Sequence, residues 1–207
     1  MKKNAKLIGD TLDLMYPDAH CELNHKNSFE LLIAVVLSAQ TTDKRVNEVT
    51  PSLFKKYPDA RALSRADLSD VETIIKPIGL YRSKAKNIVS LSRILSERYD
   101  GIVPDKRKEL ESLPGVGRKT CNVILSNCFD VPAFAVDTHV SRVSKRLGIA
   151  DEEDDVLEIE EKLMKYFPKK DWGKRHHQFI FFGRYHCKAS KPMCEECPLK
   201  GICTYFE

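Results

Sequence analysis

Four cysteines fall within the last 21 residues in the pattern C-x6-C-x2-C-x5-C: Cys187, Cys194, Cys197 and Cys203. Thiols crowded into a short polar stretch with Pro192, Pro198 and Gly201 can turn inward around one centre, because such a loop buries too little apolar surface to fold unaided. A metal is the best-fitting centre. Disulfides are disfavoured where no secretion signal is present, since cytosolic thiols stay reduced. Zinc held by four cysteines usually shows two close pairs, and here only Cys194 and Cys197 form one. An iron-sulfur cluster takes one thiolate per iron and tolerates wider spacing. Residue chemistry favours the cluster but leaves zinc open; Arg184, Lys188, Lys191 and Lys200 could offset thiolate charge in either case. The other cysteines, Cys21, Cys121 and Cys128, are scattered in apolar or helical contexts and read as small core residues.

A second chemistry-bearing stretch is Leu113-Pro114-Gly115-Val116-Gly117-Arg118-Lys119-Thr120. Two glycines at this spacing permit a tight turn with backbone N–H groups facing outward, and a helical pattern begins behind them. A phosphate can sit on amides at the positive end of such a helix. This is the signature of a helix-hairpin-helix grip on the DNA backbone, with Gly115, Gly117 and Arg118 as contacts; phosphate contacts carry no base preference. Lys119 has two readings. It is a phosphate-contacting or solubilising charge, or it is a nucleophile, since the positive end of a helix makes an amine easier to present uncharged. Asp137, in Val136-Asp137-Thr138-His139, reads as a helix N-cap, a role compatible with an ionised carboxylate that stabilises positive charge developing on a sugar. His139, His176, His177 and His186 are not at ligand spacing with the cysteines and read as surface or DNA-contacting side chains.

These residues must be held by helices. Apolar residues recur at helical spacing through most of the 207-residue chain and alternating patterns are scarce, so the fold class is all-α. Asn27 caps an all-apolar run, Leu31 to Leu37, which marks a buried helix. Further helices are predicted over Leu68 to Ile75, Ser83 to Tyr99 and Lys106 to Leu113, after Val116, from Asp137 to Gly148, and from the acidic cluster Asp151 to Asp155 through Val156 to Phe167. No apolar run approaches the ~20 residues a membrane helix needs, and the basic start lacks the apolar stretch of a secretory signal; a cytoplasmic protein is expected. Lys plus Arg number 34 and Asp plus Glu 30, a formal charge of +4 that is unevenly spread: residues 76 to 119 carry +6 and the rest −2. A basic middle of this kind fits a phosphate-binding surface.

Taken together, Leu113 to Thr120, Val136-Asp-Thr-His139, Leu37-Ser-Ala-Gln-Thr-Thr-Asp43, Ile78-Gly-Leu-Tyr81 and the cysteine tail resemble the endonuclease III family of DNA glycosylases, over nearly the whole span from Leu31 to Cys203. The resemblance implies two helical lobes, 22–132 with the hairpin, and 1–21 with 133–207 carrying a 4Fe-4S cluster loop at 187–203. It implies that Cys187, Cys194, Cys197 and Cys203 are the cluster's ligands, which decides against zinc. Lys119 becomes the nucleophile and Asp137 its carboxylate partner; Gln40 fills the gap left by an extruded nucleotide and Leu80 wedges the opposite strand. The expected activity is bifunctional: removal of oxidised pyrimidines from double-stranded DNA containing damaged bases or abasic sites, then strand cleavage through a Lys119 Schiff base, by a monomer. The alternatives are a non-catalytic module gripping damaged duplex and a monofunctional mismatch glycosylase. The related adenine glycosylases carry a catalytic Glu where this chain has Ala34, lack the lysine and have a further C-terminal domain, so that branch is disfavoured.

Overall fold

The structure is a computed structural model and describes residues 4–206; the domain limits expected at residues 1 and 207, and the basic Met1 to Lys3, lie outside the described residues. Among the described residues there is no β-strand. The chain divides into two units, Met1–Cys21 with Val131–Glu207, and Glu22–Asp130. Among the described residues no helix is long and apolar enough to cross a membrane.

The first unit opens with α1 (Ala5–Met15), which buries Ile8 and Leu12. The chain then enters the second unit, built from α2 (Ser28–Leu37), α3 (Asp43–Lys56), α4 (Ala60–Ser64), α5 (Leu68–Ile75), α6 (Tyr81–Arg98), α7 (Arg107–Glu111) and α8 (Arg118–Cys128). The apolar run at its centre is a helix, as its cap signals. Asn27 accepts from the Glu30 amide at 2.9 Å, and the Glu30 carboxylate accepts from the Lys26 amide at 2.7 Å. Every residue from Phe29 to Leu37 is buried, so α2 is the axle on which α3, α6 and α8 pack. The predicted helix at Lys106 is shorter than expected. It stops at Glu111, because Ser112 caps it and Pro114 has no amide with which to continue it.

The first unit resumes with α9 (Thr138–Arg146), α10 (Val156–Tyr166) and α11 (Trp172–Phe181), the last running into a π-helical turn at Phe182–His186. Asp137 caps α9, and Gly148 follows it in the left-handed conformation that favours glycine (φ +64). Asp155 and Glu158 close a reciprocal capping box on α10. Phe134, Phe167 and Phe179 meet edge-on or stacked at centroid distances of 5.8 to 6.4 Å, with Ile8, Leu12 and Leu163 filling around them. Arg175, buried in this core, donates to the Gly9 carbonyl and to both oxygens of Asp13, and so anchors α1 on α11.

Candidate functional site

The hairpin is built around two glycines with different reasons to be glycine. Leu113 and Val116 are buried and pin the turn. Gly115 has φ +79, and a Cβ there would come within 3.0 to 3.1 Å of Asn87 and of Val36 in α2, so both conformation and space exclude a side chain. Gly117 is the N-cap of α8, in extended backbone, and a Cβ there would meet nothing within 4 Å. No side chain caps α8. Its positive end therefore opens on a bare backbone surface, which is what a phosphate oxygen requires. The α7–α8 pair is held by Arg107, whose guanidinium donates to fully buried Asn122 at 2.5 Å. Arg118 is exposed at the helix start. Lys119, the second residue of α8, is half-buried.

Gln40 and Leu80 stand in two other loops of the same unit. Both are exposed, and both are non-glycine residues in the left-handed region, at φ +53 and +57. Leu80 is also the N-cap of α6, where it offers no capping group, and 59% of its surface is exposed. A strained backbone that presents an apolar side chain to solvent serves neither packing nor capping, and strain of this kind concentrates where ligands are clamped.

Asp137 belongs to the other unit. One carboxylate oxygen, Oδ1, accepts from the amides of His139 and Val140, each at 2.8 Å. The cap fixes the side chain and leaves the second oxygen available for other work.

The four tail cysteines come together. Cys187 follows the π-helical turn, Cys194 and Cys197 lie in the loop after it, and Cys203 ends a 3₁₀ turn at Lys200–Ile202. All four line one pocket, walled further by Phe182 and Arg146. Among the described residues no three His, Cys, Asp or Glu side chains converge as the ligands of one ion must. Thiols that line one pocket without meeting at one point suit a multi-iron cluster better than a single zinc. Burial pushes the Cys197 thiol up, and the neighbouring Cys187, Cys203 and Cys194 push it further. Four thiolates can share this pocket only around a cationic centre, which the iron of a cluster provides.

Two cations beyond the four read from the sequence hydrogen-bond to Cys187, Arg142 and Arg146 of α9, while Lys200 lines the same pocket. Arg146 donates from Nη1 to the Cys187 Sγ at 3.4 Å and to the Lys188 carbonyl at 2.8 Å; Arg142 donates to the carbonyls of Gly183 at 2.8 Å and Cys187 at 3.1 Å. A Cβ on Gly183 would lie 2.9 Å from His139, so glycine in the π-helical turn is what lets α9 approach. Sequence reasoning missed these arginines. Their i, i+4 spacing placed them on one helix face, but nothing local tied that face to a loop some forty residues on.

The histidine reading is corrected. His176 and His177 are 1% and 8% exposed, with ring centroids 4.8 Å apart, and His176 Nδ1 lies 2.7 Å from the Ala135 carbonyl. His186 is 7% exposed and stacks on Phe182 at 5.1 Å. They belong to the packed face of α11 and its extension, and His139 is half-buried. Cys121 is fully buried as expected, whereas Cys21 and Cys128 are only partly so.

With this geometry in hand, residues 33–169 match the family model for HhH-GPD superfamily base excision DNA repair proteins, and residues 187–203 match that for the iron-sulfur binding domain of endonuclease III. The chain is 57% identical to endonuclease III of Bacillus subtilis (strain 168) over 97% of its own length and 92% of that protein. It is 47% identical to endonuclease III of Escherichia coli (strain K12) over 92% and 90% respectively. A solved structure of a trapped endonuclease III–DNA covalent intermediate, an estranged-adenine complex, matches with TM-score 0.97 at 54% identity, covering 100% of this chain and 97% of that one.

Proposed function

The chain belongs to the endonuclease III family of base-excision DNA repair proteins, and on that premise we propose how its residues divide the work of a DNA glycosylase and abasic-site lyase. The observation that carries the assignment is Lys119, half-buried in the first turn of an uncapped helix that the Gly115–Gly117 turn presents. The substrate class is duplex DNA bearing an oxidised pyrimidine such as thymine glycol. Gly115, Gly117 and Arg118 hold the backbone phosphate. Gln40 occupies the space vacated by the extruded nucleotide, and Leu80 separates the bases of the opposite strand. Extrusion costs a few kcal/mol and least for a damaged, poorly stacked base, which supplies part of the selectivity.

The Lys119 amine attacks C1′ as the glycosidic bond breaks; the base departs with the bonding electrons and takes up a proton. Asp137, through the carboxylate oxygen not engaged in capping, stabilises the positive charge at C1′ and accepts a proton from the attacking nitrogen. The sugar ring opens to a Schiff base. Loss of a C2′ proton then drives β-elimination, in which the C3′–O bond breaks and the 3′ phosphate leaves. Only a covalent imine makes C2′ acidic enough for this step, so the lyase half requires an amine.

The cofactor is a 4Fe-4S cluster. Cys187, Cys194, Cys197 and Cys203 would hold it, with Arg146 beside the first thiolate. When bound, it supplies a covalent cross-link among four thiolates that no apolar core in so short a tail could replace. The enzyme acts as a monomer, approaching DNA from one side.

Borohydride trapping on duplex containing thymine glycol tests the assignment. Wild type should form a covalent adduct and cut the strand, and Lys119→Gln should do neither. Base release without trapping would show a water-activating glycosylase instead, and binding without base release a non-catalytic module.

A further inference from the structure

Gln40 and Leu80 sit in separate loops, yet two hydrogen bonds run between those loops in opposite directions. Lys84, in the first turn of α6, donates from Nζ to the hydroxyl of Thr41, the residue after Gln40, at 2.7 Å. Its own amide donates to the Leu80 carbonyl at 3.1 Å. In return Arg45, in the first turn of α3, donates from Nε to the carbonyl of Pro77 at 3.2 Å.

Lys84 is an unusual choice for its site. It is 3% exposed and forms no ion pair among the described residues, and burial pushes its amine down. Lysine is almost never fully buried without a charged partner, because removing an ammonium from water onto a neutral hydroxyl costs stability. Methionine would fill the same volume without that cost. A residue retained for packing has no use for the amine. What the amine does is fasten the Gln40 loop to the helix start that carries Leu80, at the two points where the backbone is held left-handed.

We propose that Lys84 is a positioning residue: through Thr41 it locks Gln40 and Leu80 into one rigid fork, so that the two enter the duplex together and extrude the base as a single act. The proposal rests on the roles given above to Gln40 and Leu80. Without the lock each loop can still reach DNA, but the side chains no longer share one geometry, and misplacement of this kind slows a reaction without touching its reacting atoms.

Single-turnover cleavage should be measured on two substrates: duplex containing thymine glycol, and a single-stranded oligonucleotide with a preformed abasic site, where no base has to be extruded. Lys84→Met and Thr41→Val should each lose on the order of tenfold on the duplex and keep the wild-type rate on the single strand. The double variant should be no slower than either single one, and Thr41→Ser, which keeps the hydroxyl, should match wild type. The inference is overturned if Lys84→Met keeps the duplex rate, if it slows both substrates equally as a merely structural defect would, or if the two losses multiply in the double variant. Gln40→Ala and Leu80→Ala run alongside. If these cleave the duplex at the wild-type rate, the roles assigned to Gln40 and Leu80 fail; if they are slow while Lys84→Met is not, the coupling alone fails.

Discussion

Arg142 in α9 donates to the backbone carbonyl of Cys187 at 3.1 Å, and the same guanidinium nitrogen donates to the Gly183 carbonyl at 2.8 Å. Arg146, one turn further along α9, donates to the Cys187 sulfur itself, and Cys203 and Thr204 return hydrogen bonds to the Arg146 carbonyl. The helix that Asp137 caps is thus also the helix on which the first and last cysteines of the tail are seated. Local capping and a distant metal-binding loop converge on nine residues.

Arg146 should therefore govern retention of the cluster. Its guanidinium touches the Cys187 sulfur and the Lys188 carbonyl, and lies 3.9 Å from the centroid of the Tyr205 ring. Residues that orient metal ligands from outside typically change metal affinity by roughly 10- to 100-fold. In Arg146→Met the visible absorption of the cluster should bleach several-fold faster with chelator than in wild type. Equal bleaching rates would assign Arg146 to packing alone.

The two hairpin glycines should respond differently to alanine. Gly115→Ala forces a side chain into a left-handed backbone against Asn87 and Val36 and should cost about 1–3 kcal/mol of stability. Gly117→Ala meets open space in extended backbone, so stability should stay within about 0.5 kcal/mol while DNA affinity falls, because the added methyl covers the bare surface proposed to take the phosphate. Thermal melts and DNA-binding titrations of the pair separate the effects, and unchanged affinity in Gly117→Ala would remove the phosphate from that surface.

Asp137 caps α9, and substitution can divide that cap from the charge-stabilising role proposed for it. Asn caps helices as well as Asp does, so Asp137→Asn should keep the bonds to His139 and Val140 and melt near wild type, whereas Asp137→Ala should lose about 1 kcal/mol. Both should lose base excision by at least tenfold, since neither presents a negative charge to the sugar. Full activity in Asp137→Asn would reduce the residue to its cap.

Tyr57 sets a pH dependence at the alkaline end. Burial, with the hydrogen bond its hydroxyl donates to Asp70 at 2.5 Å, pushes the phenol up from 10.0 to about 12. A raised folded-state value means that the unfolded chain ionises first. The stability Tyr57 contributes is accordingly complete below pH 10.0 and is lost as pH rises through about 12. The melting-temperature gap between wild type and Tyr57→Phe should be constant from pH 8 to about 10 and shrink above it; a gap flat to pH 12 would show that the phenol is not perturbed.

Where a feature depended on neighbours in the chain, reading residues sufficed. Asn27 with Glu30, Asp137, and the acidic cluster Asp151 to Asp155 declared helix starts that the structure places at Ser28, Thr138 and Val156, because capping and helix-end charge act between residues a few positions apart. The Gly115–Gly117 turn and the cysteine spacing were legible for the same reason. The histidines were misread because a polar side chain on a helix gives no sign of which face it shares: His176 and His186 lie on the face that holds Phe179 and Phe182.

The order of residues was thus enough to mark the helices around Leu31 to Leu37, Leu68 to Ile75, Ser83 to Tyr99 and Val156 to Phe167, the Gly115–Gly117 turn, Lys119 as a candidate nucleophile and a metal centre in the tail, since each rests on short-range geometry or on the chemistry of a residue type; the choice of iron-sulfur over zinc came from the family resemblance. Three-dimensional packing alone brought Arg142 and Arg146 to Cys187, drew Lys84 beneath Thr41, and held Gln40 and Leu80 in the left-handed conformation. Those relationships join residues some forty positions apart across packed helix faces, and no spacing rule reaches that far, because which faces meet is decided by the collective burial of the core around α2 in one unit and around Phe134 and Phe179 in the other.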